Sequence, residues 1–437
     1  MKRIIPVFVL TAFFGFSLQA QNEKLKSQID KKADELETKV IEWRRDIHQN
    51  PELSNREFKT SAKVVEHLKS LGIEVQSEVA HTGVVGILKG GRPGPVVALR
   101  ADMDGLPVIE RADIPFASRV KSTYNGQEVG VMHACGHDTH VAILMGVAEI
   151  LAGMKNEIPG TVKFIFQPAE EGAPLGEEGG AELMVKEGVL KNPDVQAIFG
   201  LHISSGSEIN TISYKPGASQ ASANSYSIVV KGKQTHGASP WTGVDPIVVS
   251  AQIINSIQTI VSRKTNLIRQ PAVVTVGSIH GGVRNNIIPE EVKMEGTIRA
   301  LDNEMRDQIF EDLKTMATKV AESQGATAVV TINHGVPITY NDPSLTGKML
   351  PTLLQAAGKE NVHLRPAIMG AEDFSYFQEQ IPGFYFGLGG MTPGNATPFP
   401  HHTPDFFVDE GGMKLGVRAL SYLVFDYLSS TKIDEKK

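Results

Sequence analysis

Met132-His133-Ala134-Cys135-Gly136-His137-Asp138-Thr139-His140 gathers a thiol, imidazoles and a carboxylate in one polar, glycine-containing turn just ahead of a helical pattern. Thiolate and imidazole are the usual ligands of zinc and its neighbours, so the Cys-x-His pair Cys135 and His137 suits one metal ion or a bridge between two. A small buried hydrophobe is the plain reading of a lone cysteine. The histidines on either side of it favour ligation. Asp138 and Thr139 separate His137 from His140, which excludes the zinc-binding His-Glu-x-x-His helix.

A second cluster, Phe166-Gln167-Pro168-Ala169-Glu170-Glu171, follows an apolar run at the end of an expected strand, where open α/β sheets place their ligands. Successive side chains of an extended segment point apart, so one glutamate can bind metal while its neighbour serves as general base. The plain alternative is a solvated acidic pair opening a surface loop. His202 closes another apolar run, and His401-His402 stands before Thr403-Pro404 in a loop. In Arg100-Ala101-Asp102-Met103-Asp104-Gly105, strand alternation sends Asp102 and Asp104 to the same side. Carboxylates so placed orient metal-bound histidines from behind; otherwise they are turn formers.

The elements that must hold these groups are legible as patterns. Leu25, Ile29, Ala33, Leu36, Val40, Trp43 and Ile47 recur at steps of three and four, predicting one long amphipathic helix that Pro51 ends. A second helix is expected over 58–71, before Gly72, and strands over 84–88 and 95–101. A helix over 141–154 and strands over 162–167 and 197–202 continue the alternation. Strands so uniformly apolar belong to a largely buried sheet in an α/β layer.

From about residue 225 the rhythm becomes strand 225–231, helix 246–263, strands 272–279 and 291–300, helix 303–324 and strand 328–333. This is the βαββαβ order of the split ferredoxin-like unit, about 110 residues that can fold alone and be inserted in another domain. The first alternation then resumes through a strand at 384–388 and a helix at 410–428. The expected organisation is a leader over 1–20, a larger domain over 21–215 and 335–437, an insert over 216–334, and a charged tail at 432–437.

Composition narrows the partners. In 437 residues, 41% hydrophobic and 21% charged residues suit a folded chain with a sizeable core. Forty-three basic against 49 acidic residues leave a formal charge of −6, the wrong sign for nucleic acid. Lys2 and Arg3, the apolar run over 4–16 and Ser17-Leu18-Gln19-Ala20 have the three regions of a secretory signal. Cleavage is expected after Ala20, giving an exported, periplasmic or secreted product with no membrane attachment. The run is short for a span, and no second stretch of about 18 apolar residues follows it. Cys135 is the sole cysteine, so this thiol is either inert core or chemically occupied.

The same motifs carry a family resemblance. Arg45-Asp46-Ile47-His48-Gln49-Asn50-Pro51-Glu52-Leu53, the Arg-Ala-Asp-Met-Asp and His-Ala-Cys-Gly-His-Asp segments, and Gln167 to Glu171 come first. Gly200-Leu201-His202, His236-Gly237-Ala238-Ser239-Pro240 and Asn286-Ile287-Ile288-Pro289-Glu290 follow. Gly296-Thr297-Ile298-Arg299, Gly370-Ala371-Glu372-Asp373-Phe374 and His402-Thr403-Pro404 complete the series. Together they resemble the metal-dependent amidohydrolases and metallopeptidases grouped with aminoacylases, over nearly the whole chain after the leader. The likeness is strongest to the N-acyl-amino-acid amidohydrolases, hippurate hydrolases and auxin-conjugate hydrolases.

That resemblance implies a zinc-peptidase-like α/β catalytic domain with a mixed, mostly parallel sheet flanked by helices. The inserted ferredoxin-like α+β unit is then a lid and homodimerisation domain. It implies two divalent ions, Zn, Mn, Co or Ni, held by Cys135, His137, Glu171, His202 and His402. Glu170 is the implied catalytic base, Asp104 orients the site, and His236 stabilises the oxyanion. Asn286 and Arg299 are implied holders of the substrate's carboxylate. His402 is taken over His401 because it stands directly before Thr403-Pro404, as the family's ligand does.

The implied activity is hydrolysis of the amide bond of N-acyl-L-amino acids, acetyl, benzoyl or similar, releasing a free amino acid and a carboxylic acid. Two divalent ions set against Cys135, Glu171 and one hydroxide leave a net positive site, which favours a substrate with a free carboxylate. An exopeptidase is the alternative, since a peptide is also an N-acylated amino acid. A non-catalytic metal-containing binding protein is the third reading; it would have no use for a general base such as Glu170.

Overall fold

The computed structural model describes residues 8–395, 397 and 399–431. The start of the expected leader, residues 1–7, and the charged tail, 432–437, lie outside the described residues, as do the side chains of 8–21. The chain separates into two compact units. One runs to Pro216 and resumes over Asn341–Arg365 and from Phe377; the other comprises Gly217–Tyr340 and Pro366–Tyr376.

In the first unit an eight-stranded sheet runs in the order Glu74–Val79, Gly83–Lys89, Pro159–Gln167, Arg92–Asp102, Ala197–Glu208, Gly383–Met391, Ile212–Tyr214, Val362–Leu364. Pro159–Gln167, Arg92–Asp102, Ala197–Glu208 and Gly383–Met391 pair in parallel, while the first two strands pair antiparallel. Arg92–Asp102 and Pro159–Gln167 are buried over most of their length and Gly383–Met391 over nearly all of it. This is the signature of a sheet covered on both faces, and the α/β class read from the apolar runs holds.

Helices supply the cover. Leu25, Ile29, Ala33, Val40 and Ile47 of the helix Phe8–Gln49 all enter the core. Each large side chain among them is worth roughly 1.5–3 kcal/mol on burial. His137–Ala152 is apolar all round and buried nearly throughout. Its Gly146 permits close packing, because a Cβ there would lie 2.9 Å from Val40 Cγ2 and 3.3 Å from Val417 Cγ2. No helix of the described residues is long and apolar enough to cross a membrane.

Two elements differ from the sequence expectation in ways that matter for the site. The helix expected from residue 141 begins at His137, because Gly136 takes φ 94° and turns the chain directly into it. The strand expected to end at His202 continues to Glu208, because Gly383–Met391 pairs with it that far. His202 therefore projects from within a strand.

A buried charge network ties the first helix to this region. Arg44 and His48 are 0% and 1% exposed, and both contact Asp138, Arg44 Nε at 2.7 Å and His48 Nδ1 at 2.9 Å. His48 Nε2 meets Glu110 at 3.1 Å. Burial opposes a charge on His48, but Asp138 prevails and its pKa is raised. Removing one member of such a network strands the others in a low dielectric. Arg44→Ala is expected to lower unfolding stability by about 3–5 kcal/mol, measured by urea titration. A loss below about 1 kcal/mol would show that Asp138 relaxes to another partner.

The second unit is a four-stranded antiparallel sheet in the order Ala272–Gly281, Glu291–Ala300, Ser222–Lys231, Thr327–Val336. The helices Pro246–Thr259 and Asn303–Ser323 contribute Ile253, Ile257, Ile309 and Leu313 to a core with Ile228, Val230 and Ile298 of the sheet. Asp245 and Asp302 cap these helices, accepting from Ile247 N–H and Met305 N–H. The helix expected to run to 263 passes at Ile260 into a single wide π turn, Ile260–Lys264.

Residues 335–340 and 366–376, assigned by sequence pattern to the larger domain, pack with this unit. Backbone bonds from Ile368 N–H to Ser219 O and from Ala221 N–H to Ile368 O hold the later segment there. A pairing between residues so far apart in the chain leaves no periodic signal.

Candidate metal centre

The parallel strands deliver their C-terminal ends to one region of the first unit, as open α/β sheets do. Asp102 ends Arg92–Asp102, Glu170 and Glu171 follow Pro159–Gln167, and His202 lies in Ala197–Glu208. Cys135 and His137 arrive on the turn into the helix His137–Ala152. Gly136 has no substitute in that turn: a Cβ would sit 2.3 Å from Ile203 Cγ2.

Cys135, His137 and Glu171 place ligand atoms within 4.8 Å of one another. Cys135 Sγ lies 3.4 Å from His202 Nε2, and His402 Nε2 lies 3.1 Å from Glu171 Oε1. The five side chains named as ligands in the sequence therefore converge. Cys135 Sγ also lies 3.6 Å from His401 Nδ1.

Hydrogen bonds decide which imidazole nitrogens have a lone pair to give, since a neutral ring has one N–H and one acceptor. His137 Nδ1 faces Asp104 O at 3.0 Å and Asp104 Oδ1 at 3.1 Å, so the proton sits there and Nε2 is the free base. His202 Nδ1 donates to Ile203 O at 2.6 Å, leaving Nε2 toward Cys135. His140 is the reverse case: Nδ1 donates to Asp102 Oδ1, and Nε2 accepts from Ile203 N–H at 2.8 Å. Although His140 lies with Asp102 and His137 in one cluster of ligand-type atoms, it has no lone pair left for an ion.

The donor set fits a divalent cation. His137 Nε2 is buried and hydrogen-bonded to nothing among the described residues, and the buried Glu171 Oε1 meets the His402 imidazole at 3.1 Å. Bare polar atoms of this kind are costly unless something ligates them. The local field also favours positive charge. Against the cost of burial, Asp102 and Asp104 hold His137 well above its ordinary pKa. Cys135 and Glu171 draw His402 up to about 10. Surroundings that bind a proton so firmly attract a metal ion by the same electrostatics.

Asp104 is wholly buried and accepts from Ser54 Oγ at 2.8 Å and Glu171 N–H at 3.0 Å, besides His137. One carboxylate thus grips the His137 ring and the backbone of Glu171, both candidate ligands. Despite burial, His137 keeps the Asp104 carboxyl below the usual carboxylate range. Glu170 Oε2 stands 3.8 Å from His137 Nε2. Asp102 pairs with Arg100 and His140.

The remaining implied residues lie in the second unit. His236 and Asn286 are neighbours there: His236 pairs with Ile287 across a short ladder, and Gly237 N–H donates to Asn286 O at 2.8 Å. Arg299 lies on Glu291–Ala300, opposite Ala223 and Val273, where burial lowers its pKa.

Sequence reasoning passed over Glu57. This carboxylate is 0% exposed, accepts from Ala169 N–H at 2.9 Å and from Thr82 Oγ1 at 2.5 Å, and so holds the residue before Glu170. Ala169 has φ 52°, a left-handed turn that needs such an anchor. No local pattern marked Glu57, because its partners lie far along the chain. Burial and the Asp104 carboxylate push its pKa up to about 8.

The folded state therefore binds this proton more tightly than the unfolded state does. The associated stability is complete below about pH 4 and is lost as pH rises through 8. In thermal melts, the parent Tm is expected to fall across this window relative to that of Glu57→Gln. Parallel curves would refute the assignment.

These features match known proteins. Residues 98–426 match the model of peptidase family M20/M25/M40. The chain belongs to this family. It is 42% identical to thermostable carboxypeptidase 2 of Saccharolobus solfataricus over 407 residues, covering 93% of this chain and 98% of that one. It is 38% identical to N-acetylcysteine deacetylase of Bacillus subtilis over 399 residues, covering 90% and 98%. A crystal structure of a dinuclear metal-binding peptidase of the M20 family from Bacillus subtilis superposes with a TM-score of 0.76 at 35% identity, covering 91% of this chain and all of that one. The M20 chain described here is accordingly a metal-dependent hydrolase of the amidohydrolase and peptidase class, and the resemblance read from its motifs holds.

Proposed function

We propose that the chain hydrolyses N-acyl-L-amino acids to a free amino acid and a carboxylic acid. The observation that carries this reading is Glu170, held directly before the ligand Glu171 and 3.8 Å from the free nitrogen of His137. A carboxylate so placed can take the proton of an attacking water and return it to the leaving nitrogen. Asp104 keeps His137 in the tautomer that leaves Nε2 available. Cys135, His137, Glu171, His202 and His402 would hold two divalent ions, Zn, Mn, Co or Ni. Such ions polarise the acyl carbonyl and lower the pKa of water. His236 is assigned to oxyanion stabilisation, and Asn286 and Arg299 to the substrate's carboxylate; the motif likeness supports these roles.

The likeness to N-acetylcysteine deacetylase supports a small acyl group. The likeness to a carboxypeptidase supports the second reading, an exopeptidase at the same centre. The two are separated by kcat/KM for N-acetyl and N-benzoyl amino acids against dipeptides and blocked peptides. Acyl amino acids are expected to lead, with their methyl esters about tenfold or more slower through loss of the carboxylate contact. Faster peptides would favour the exopeptidase, and equal rates for acid and ester would remove the carboxylate argument. The proposal extends to an exported homodimer lacking residues 1–20, on the strength of the leader pattern and the family likeness. N-terminal sequencing and sedimentation test these two parts.

A further inference from the structure

His401 and His402 are adjacent, yet they meet the centre differently. His402 has φ 61° and donates its backbone N–H to Ala134 O at 2.8 Å, which pins the pair beside Cys135. His402 Nε2 then reaches Glu171, while His401 Nδ1 faces Cys135 Sγ at 3.6 Å. On distance alone His401 qualifies as a ligand, since its nitrogen clusters with Cys135 and His202. Its other nitrogen decides otherwise. Ser205 N–H points at His401 Nε2 from 3.2 Å. A backbone amide can only donate, so Nε2 must present a lone pair, and the ring proton must sit on Nδ1. A doubly protonated ring would set two N–H groups against each other at Ser205.

We infer that His401 is a positioning residue that donates an Nδ1–H···S hydrogen bond to Cys135 and tunes it as a metal ligand, without itself binding metal. This rests on the metal-centre reading above. A thiolate carries several lone pairs, and a fixed donor occupies one of them, so the sulfur keeps a defined direction toward its ions. The donor also withdraws charge from sulfur, which weakens thiolate donation and leaves a bound ion a stronger Lewis acid. The Ser205 amide belongs to the strand Ala197–Glu208 that carries His202, so one strand supplies a ligand and sets the tautomer of the ring behind a second ligand.

The test uses the full-length mature protein loaded with Co²⁺, whose thiolate-to-metal charge-transfer band reports directly on the sulfur. His401→Phe removes the donor and keeps a ring of similar size. The variant is expected to retain the metal stoichiometry of the parent and to show the band displaced to lower energy. His401→Asn, whose side-chain amide can overlay Nδ1, is expected to restore the parent band. Should His401→Phe fail to fold, His401→Gln, which places its amide at the Nε2 position, serves as the donor-free variant. An unmoved band in the donor-free variant would overturn the hydrogen bond. Loss of one metal equivalent, not restored by Asn, would show His401 to be a ligand and overturn the proposal equally. A parent protein that binds no Co²⁺ would instead overturn the metal-centre reading itself, which separates the two failures.

Discussion

Glu170→Gln is expected to lower kcat by about 10²–10⁴-fold while the variant binds as much metal as the parent. Gln keeps the size and one oxygen of the side chain but cannot accept a proton, so the substitution removes the transfer and little else. The separation of effects follows from position. Glu171 is anchored through its own backbone N–H on Asp104, and its neighbour's side chain takes no part in that bond. KM is expected to change far less than kcat, because a group acting only as transition-state base contributes little to ground-state binding. Elemental analysis beside steady-state kinetics checks both halves. Near-parent turnover would transfer the base role to another residue, and joint loss of metal and activity would make Glu170 a ligand.

His137→Ala is expected to have the other large effect, through the ions. It deletes a lone pair that is buried and aimed with no hydrogen-bond partner among the described residues, and it frees Asp104 from its contact with the ring. Ligand loss of this kind exceeds the roughly 10–100-fold cost in metal affinity of losing an orienting group behind a ligand. Activity is expected to fall at least 10³-fold at ordinary metal concentrations, roughly 4 kcal/mol of transition-state stabilisation. High added metal is expected to recover part of it. The control is His140→Ala, whose ring has both nitrogens committed to Asp102 and Ile203. It is expected to hold more metal than the His137 variant; equal losses would show that cluster membership, not lone-pair availability, selects the ligands.

The folded chain explains why some of this was legible beforehand. The helix through Leu25 and Ile47 and the strands ending near Asp102 and Gln167 were readable because covering a buried sheet imposes a period on the residues themselves. Cys135, His137, Glu170 and Glu171 stood out as candidates because thiol, imidazole and paired carboxylates beside an apolar strand have few other uses, and the fold brings them together. The ferredoxin-like order was readable for the same periodic reason, but the attachment of 366–376 to that unit was not.

The sequence by itself determined the chemistry on offer: a single thiol, a set of imidazoles and carboxylates at strand ends, and the family to which their order belongs. Tertiary structure decided which of those groups can use it. Asp102 and Asp104, equivalent by alternation, divided between Arg100 with His140 and His137 with Ser54. Histidines of identical type became bases or donors according to backbone groups at Asp104, Ile203 and Ser205. The physical reason is that an imidazole's tautomer is set by the partner of its far nitrogen. That partner is brought up by the fold from elsewhere in the chain and leaves no trace in the local pattern.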